Sequence, residues 1–156
     1  MKNVLIAYYT RSGNTEKLVN KLAEELNADV EKIIDLKNRK GILGFIFGGK
    51  DASGKKLTSI GPAKYNPKDY DLVILATPTW ASSAAPALHT YIENHKSDFQ
   101  KVAFVVSQGG ECNGKIYKDL EAFTGKSPVA TIDFSAAYLK GNKWPIKLKT
   151  FAENLI

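Results

Sequence analysis

The sequence holds a single cysteine, Cys112, so it can form neither an internal disulfide nor a cysteine-based zinc site. Its only histidines, His89 and His95, lack the clustered partners of a metal centre. No apolar run approaches the roughly 20 residues that a membrane span requires. The stretch Met1-Lys2-Asn3-Val4-Leu5-Ile6-Ala7-Tyr8-Tyr9 sets a lysine before apolar residues, as a signal peptide does. It is short, however, and leads into a polar loop without a small-residue cleavage pattern. A buried strand is expected there, together with a cytoplasmic location. Repeats, low-complexity tracts and linker-like segments are also missing, which predicts a single domain over residues 1–156.

Charge is present and unbalanced. Lysine and arginine number 22 against 16 acidic residues, a formal net charge of +6 that suits nucleic acid, an anionic membrane surface or an acidic protein. The lysines are spread along the chain, from Lys17 and Lys21 through Lys55 and Lys101 to Lys147 and Lys149. With no dense basic block and no nucleic-acid motif, attraction to anionic small molecules or acidic protein partners is the expectation, and nucleic acid is not.

Three segments are apolar without alternation, as parallel strands buried on both faces are: Val4 to Tyr9, Leu72 to Ala76 and Val102 to Val106. Ala28 to Ile34 and Val129 to Phe134 are weaker strand candidates. Helical spacing of apolar residues predicts helices over Thr15 to Leu26, Ala84 to Asn94, Lys115 to Phe123 and Lys147 to Leu155, with Gly125 as a stop and Trp144-Pro145 anchoring the last helix. The glycine-punctuated apolar stretch from Gly41 to Gly49 fits either a short helix packed on the sheet or a mobile flap, and the role of residues 41–58 stays open. Strand and helix in alternation imply an α/β fold, a parallel sheet with helices on both faces.

Ligands of such sheets bind beyond the carboxyl ends of the strands. The first loop there, Thr10-Arg11-Ser12-Gly13-Asn14-Thr15, joins a buried strand to an amphipathic helix. Free N–H groups and the dipole at a helix start suit a phosphate, and Thr10, Ser12, Asn14 and Thr15 can add hydrogen bonds. Helix capping alone explains the same residue types. The GxxxxGK[ST] of nucleoside triphosphate sites and the GxGxxG of dinucleotide folds are both absent. The second loop, Thr77-Pro78-Thr79-Trp80-Ala81-Ser82-Ser83, offers Trp80 as a stacking surface for a planar heterocycle, or as an aromatic packed on the next helix. The third, Ser107-Gln108-Gly109-Gly110-Glu111-Cys112-Asn113-Gly114, can turn backbone groups to a ring edge, or form a plain turn. The loop position of Cys112 permits reactivity, although a lone cysteine is more often incidental. His89 is expected at the surface of the helix after the second loop.

These loops resemble those of the flavodoxin family, and the resemblance runs over essentially the whole chain. The family's phosphate loop, T-x-[ST]-G-[NT]-[TA], is matched by Thr10, Ser12, Gly13, Asn14 and Thr15, and Trp80 stands where the family carries an aromatic flanking the flavin. The resemblance implies a three-layer flavodoxin-like fold with a five-stranded parallel sheet in order 2-1-3-4-5, without the long-chain insertion, and flavin mononucleotide (FMN) as cofactor. The implied cofactor-binding residues are Thr10 to Thr15, Thr77 to Ala81 and Ser107 to Cys112. Typical flavodoxins are acidic and place a tyrosine in the third loop. This chain is basic, and between Ser107 and Asn113 it has one acid, Glu111, and no aromatic; Tyr117 falls in the helix beyond. Fewer carboxylates near a flavin imply a less extreme potential than the family is known for. The basic charge implies redox partner proteins with acidic docking faces.

Three functions follow as expectations: an FMN-binding electron-transfer protein shuttling electrons between partners, an FMN-dependent NAD(P)H oxidoreductase acting on quinones or similar acceptors, or a flavodoxin-like binding module without flavin. A phosphoacceptor receiver domain shares the sheet order but needs acids after the first strand, where Tyr8-Tyr9-Thr10 supplies none.

Overall fold

A computed structural model describes residues 3–156, apart from the side chains of Ile42 and Phe45; Met1 and Lys2, at the head of the N-terminal stretch, lie outside it. Along the chain, β1 (Val4–Tyr8) leads to α1 (Asn14–Leu26) and β2 (Asp29–Lys32) to α2 (Gly41–Ser53). Next, β3 (Leu72–Trp80) passes through β4 (Ser83–Ala84) to α3 (Pro86–His95), and β5 (Lys101–Gln108) leads to α4 (Lys115–Thr124). Last come β6 (Thr131–Ser135), α5 (Ala136–Leu139) and α6 (Trp144–Glu153). The parallel strands lie in the order β2-β1-β3-β5-β6, the expected 2-1-3-4-5 arrangement, and the short β4 pairs antiparallel with the end of β3.

The sheet is buried on both faces because its central strands are apolar at successive positions. Leu5, Ala7, Val73, Leu75, Val102 and Phe104 join one core with Leu88, Tyr91 and Ile92 of α3 and Ile116 and Leu120 of α4. Their neighbours Val4, Ile6, Ile74, Ala103 and Val105 join the opposite core with Leu18, Val19 and Leu22 of α1 and Leu148 and Phe151 of α6. The period of two along each strand thus assigns α3 and α4 to one face and α1 and α6 to the other.

Several boundaries differ from the sequence expectation. The Thr77–Trp80 segment, read as a loop, continues β3: Thr77 and Pro78 stay in register with Val106 and Ser107 of β5, while Thr79 and Trp80 pair with Ala84 and Ser83. The open segment at Gly41 is a helix of 13 residues. The last helix starts three residues early, at Trp144, with Pro145 in its first turn, where a missing N–H costs nothing. The Lys17 ammonium lies 4.9 Å from the centre of the Trp144 ring and ties α6 to α1, as the anchoring role required.

Gly125 ends α4 as expected. It takes a left-handed φ of 67° and its N–H donates to the Glu121 carbonyl at 2.8 Å. A Cβ built there would meet nothing within 4 Å, so alanine carries only the conformational penalty. Gly125→Ala is expected to lower unfolding stability by about 1 kcal/mol, and Gly125→Asn by less, in urea titrations.

Candidate functional site

The three loops meet at the carboxyl ends of β1, β3 and β5. They line one crevice of about 200 Å³ with Thr10, Arg11, Ser12, Asn14, Thr15, Pro78, Thr79, Trp80, Ser107, Gln108, Gly109 and Ala136. Thr15 and Ser107 bridge the first and third loops through their hydroxyls, 3.0 Å apart and buried.

The first loop is shaped to leave the start of α1 open. Gly13 takes a left-handed φ of 100° at the N-cap and no side chain caps the helix. Thr10 Oγ1, the obvious capping group, instead accepts the Gly13 N–H at 3.0 Å. The helix-capping explanation of Thr10 to Thr15 therefore does not describe this loop. Its first-turn N–H groups stay available beside exposed Ser12 and Asn14. The acid of that turn, Glu16, is engaged to the side: it accepts from Lys32 at 3.2 Å and from the Tyr8 hydroxyl at 3.0 Å, and these bonds hold its pKa below the usual range. Arg11 turns toward α2, donating from Nε to the Arg39 carbonyl at 2.8 Å and from Nη2 to the Gly41 carbonyl at 2.9 Å.

The second loop is a tight hairpin. Ala81 and Ser82 both have positive φ, 50° and 60°, between the paired Trp80 and Ser83, the geometry of a type I′ turn. Neither residue is glycine or asparagine, so the turn costs on the order of 1 kcal/mol per residue and must be held from outside. Asp119 of α4 holds it. Its buried carboxylate accepts the Ala84 N–H at 2.9 Å and His89 Nε2 at 2.8 Å on one oxygen, and Lys55 at 2.5 Å on the other. Lys55 also bonds the Ser83 hydroxyl. Since an ionised carboxylate only accepts, His89 donates to it from Nε2. His89 is therefore not the surface residue expected from sequence: it is fully buried, with its ring stacked 3.9 Å from Phe123.

Trp80 is 9% exposed. Tyr9 meets it edge-on at 5.5 Å, and a Cβ added to Gly48 of α2 would come within 2.9 Å of the indole. Burial first, then nearby Asp35, pushes the Tyr9 hydroxyl up to about 12 and keeps it neutral. The indole thus borders the crevice while α2 occupies another of its sides.

Of the remaining residues expected at the site, Thr77 is fully buried, its hydroxyl accepting from Ala85 N–H and donating to the Pro78 carbonyl. Gly13 contributes backbone. Ala81 lines an adjoining cavity of about 260 Å³ with Ile46, Gly49, Thr79 and Trp80. Gly110, Glu111 and Cys112 line another, of about 310 Å³, with Gln108, Asp133 and Tyr138. Sequence reasoning missed Tyr9, Gly48, Ala136 and Asp133. Asp133 sits within β6 and accepts from Tyr117 at 3.0 Å and from Gln108 at 3.3 Å, so the acid near the third loop comes from a strand distant in sequence.

The crevice is chemically incomplete. Thr79 Oγ1 and Gln108 Oε1 are buried there with no hydrogen-bond partner among the described residues. Buried polar atoms are rarely left so. An open helix start for an anion, two orphaned polar atoms and an aromatic wall fit a phosphorylated heterocycle.

Residues 1–121 match the model of a family described as NADPH-dependent FMN reductase. The chain belongs to that family. No curated protein sequence matches it. Among solved structures, this family member is similar to a flavoprotein in complex with FMN from Lactobacillus acidophilus NCFM, at 19% identity and a TM-score of 0.76 over 85% of this chain and 93% of that one. It is similar to a provisionally assigned flavoprotein from Bacteroides eggerthii DSM 20697, at 18% identity and a TM-score of 0.78 over 98% of this chain and 97% of that one. It is also similar to a Fusobacterium nucleatum flavodoxin bound to FMN, at 14% identity and a TM-score of 0.62 over 99% of this chain and 97% of that one. These likenesses establish a flavodoxin-like fold for this family member.

Asp119 gives a pH prediction. Burial raises its pKa, but hydrogen bonds from His89, Ala84 and Lys55 outweigh burial and hold it below the ordinary carboxylate value. Its contribution to stability is present above the unfolded value of about 3.9 and is lost as pH falls through the lower folded value. Asp119→Asn is expected to cost about 3 kcal/mol near neutrality. The difference between native and variant urea midpoints is expected to shrink as pH falls below about 4.

Proposed function

We propose that this chain is an FMN-binding electron-transfer protein, its cofactor held by the three loops. The observation that carries the reading is their convergence on one crevice where Thr79 Oγ1 and Gln108 Oε1 lack partners. In it, the backbone N–H groups of Asn14 and Thr15 and the side chains of Thr10, Ser12, Asn14 and Thr15 hold the phosphate, with Gly13 shaping the turn. Pro78, Thr79 and Trp80 flank the ring system, and Ser107, Gln108 and Gly109 meet its polar edge. Arg11 fixes the loop against α2, and Thr77 fixes the second loop from below. Ala81, Gly110, Glu111 and Cys112 border the ring from the adjoining cavities. Bound FMN supplies the capacity to take up an electron pair and to release it singly or together. The formal charge of +6 suits docking to acidic faces of redox partners in a cytoplasmic setting.

A second reading, an FMN-dependent NAD(P)H oxidoreductase for quinones or similar acceptors, is favoured by the family match. A flavin flanked by one aromatic from this chain leaves room for a second planar molecule. The two readings divide on whether the flavin-loaded chain oxidises NADPH unaided.

Titration of apoprotein with FMN, followed by visible absorbance, is expected to give a dissociation constant at or below about 1 μM. Trp80→Ala is expected to weaken it by roughly tenfold and to shift the flavin spectrum. No binding contradicts both readings, and unchanged affinity in the variant makes Trp80 structural. Rapid NADPH-driven quinone reduction by the flavin-loaded protein alone selects the enzyme; dependence on an added reductase selects the carrier.

A further inference from the structure

Helix α2 is inverted relative to an ordinary surface helix. Among the described side chains its buried residues are Gly44, Gly48, Asp51 and Ala52, spaced on one face. Gly44 packs on the Arg39 backbone, Gly48 on the Trp80 ring, and Asp51 pairs with buried Arg39 at 2.6 Å. The face turned to solvent carries Leu43, Ile46 and Phe47, exposed by 68%, 55% and 47%. Among the described side chains, Gly44, Gly48 and Ala52 face inward and Leu43, Ile46 and Phe47 outward, opposite to what water alone favours. The helix is held in this orientation at both ends, by Arg11 on the carbonyls of Arg39 and Gly41 and by Lys55 on Asp119 and Ser83.

Exposed cations stand on this face and at both ends of the helix. Lys50 follows Leu43, Ile46 and Phe47 at helical spacing, Lys40 stands at the N-cap, and Lys56 lies just past the C-terminus; all three are exposed. Among the described residues none of the three makes an ion pair. The helix's own acid, Asp51, and Asp35 before it are turned inward onto Arg39. An isologous contact with a second copy sets these lysines against one another. An anionic bilayer attracts each of them, by roughly fivefold in binding per residue, while its interface takes up the apolar face. At 13 residues, about 20 Å, the helix is too short to cross a hydrocarbon core of roughly 30 Å, but long enough to lie on one.

We propose that α2 is a membrane-docking helix, seating the protein on anionic phospholipid through Leu43, Ile46 and Phe47 with Lys40, Lys50 and Lys56 at the headgroups. Ile46 and Gly49 also line the cavity of about 260 Å³ that shares Thr79 and Trp80 with the crevice. Docking therefore brings the mouth of the crevice to the lipid interface. This inference goes beyond the proposed function and holds whether or not FMN binds.

The test is co-sedimentation of the full chain with vesicles of phosphatidylcholine alone and of an equimolar mixture with phosphatidylglycerol. Binding is expected to rise at least roughly tenfold on the anionic vesicles and to weaken with salt. Leu43→Ser with Phe47→Ser is expected to lower it at least roughly tenfold, with circular dichroism and melting temperature showing the variant folded. Lys40→Gln with Lys50→Gln tests the charge separately and is expected to remove most of the preference for anionic lipid. Absence of vesicle binding overturns the proposal, as does full retention by the folded Leu43/Phe47 variant. A concentration-dependent dimer that this variant dissolves, without vesicle binding, assigns the face to a second copy and overturns it equally.

Discussion

Asp119 accepts hydrogen bonds from three other parts of the chain: Lys55 after α2, Ala84 in β4 and His89 in α3. A buried carboxylate is costly to desolvate, and each partner offsets part of that cost. The arrangement fixes the hairpin at Ala81 and Ser82 in a conformation that neither residue favours. The hairpin in turn sets the end of β3, and with it Thr79 and Trp80 at the crevice. Removing one carboxylate therefore acts on three elements at once, although Asp119 does not line the crevice.

Helix α2 joins this arrangement from the other side. The glycines at positions 44 and 48 let its backbone approach Arg39 and Trp80, which a bulkier helix face would prevent. Arg39, with ion pairs to Asp35 and Asp51, forms a second buried charge cluster beneath it. The helix owes its existence to these contacts more than to its composition, since glycine disfavours helix in isolation. The consequence is a helix that turns Leu43, Ile46 and Phe47 outward beside the crevice.

The parts of the fold that could be read from sequence are those decided locally. The apolar runs around Leu5, Ile74 and Phe104 are buried strands because no other placement hides them. The Thr10–Thr15 motif leads into the amphipathic helix that the apolar spacing after it predicts, the helix starting at Asn14. The rest depends on partners far along the chain. Thr77 to Trp80 looked like a loop because Thr-Pro-Thr breaks the apolar run, yet pairing with β4 and β5 extends the strand. His89 looked like a surface histidine because its partner Asp119 is 30 residues away. The acid near the third loop, Asp133, was hidden inside β6 for the same reason. Gly41 to Gly49 was ambiguous because its glycines acquire meaning only against Arg39 and Trp80. For the candidate site, the order of the loops was readable, while the engagement of Thr10 within its own loop and of Arg11 with α2 was not.

If the three loops form one FMN site, they respond to the cofactor as a unit. Backbone amide chemical-shift mapping during addition of FMN to the isotopically labelled apoprotein tests it most directly. Concerted changes are expected at Ser12 to Thr15, at Thr79 and Trp80, and at Gln108 and Gly109, saturating with one affinity. Changes confined to a single loop, or located instead in the β2 cavity around Ile33 to Lys40, would contradict it.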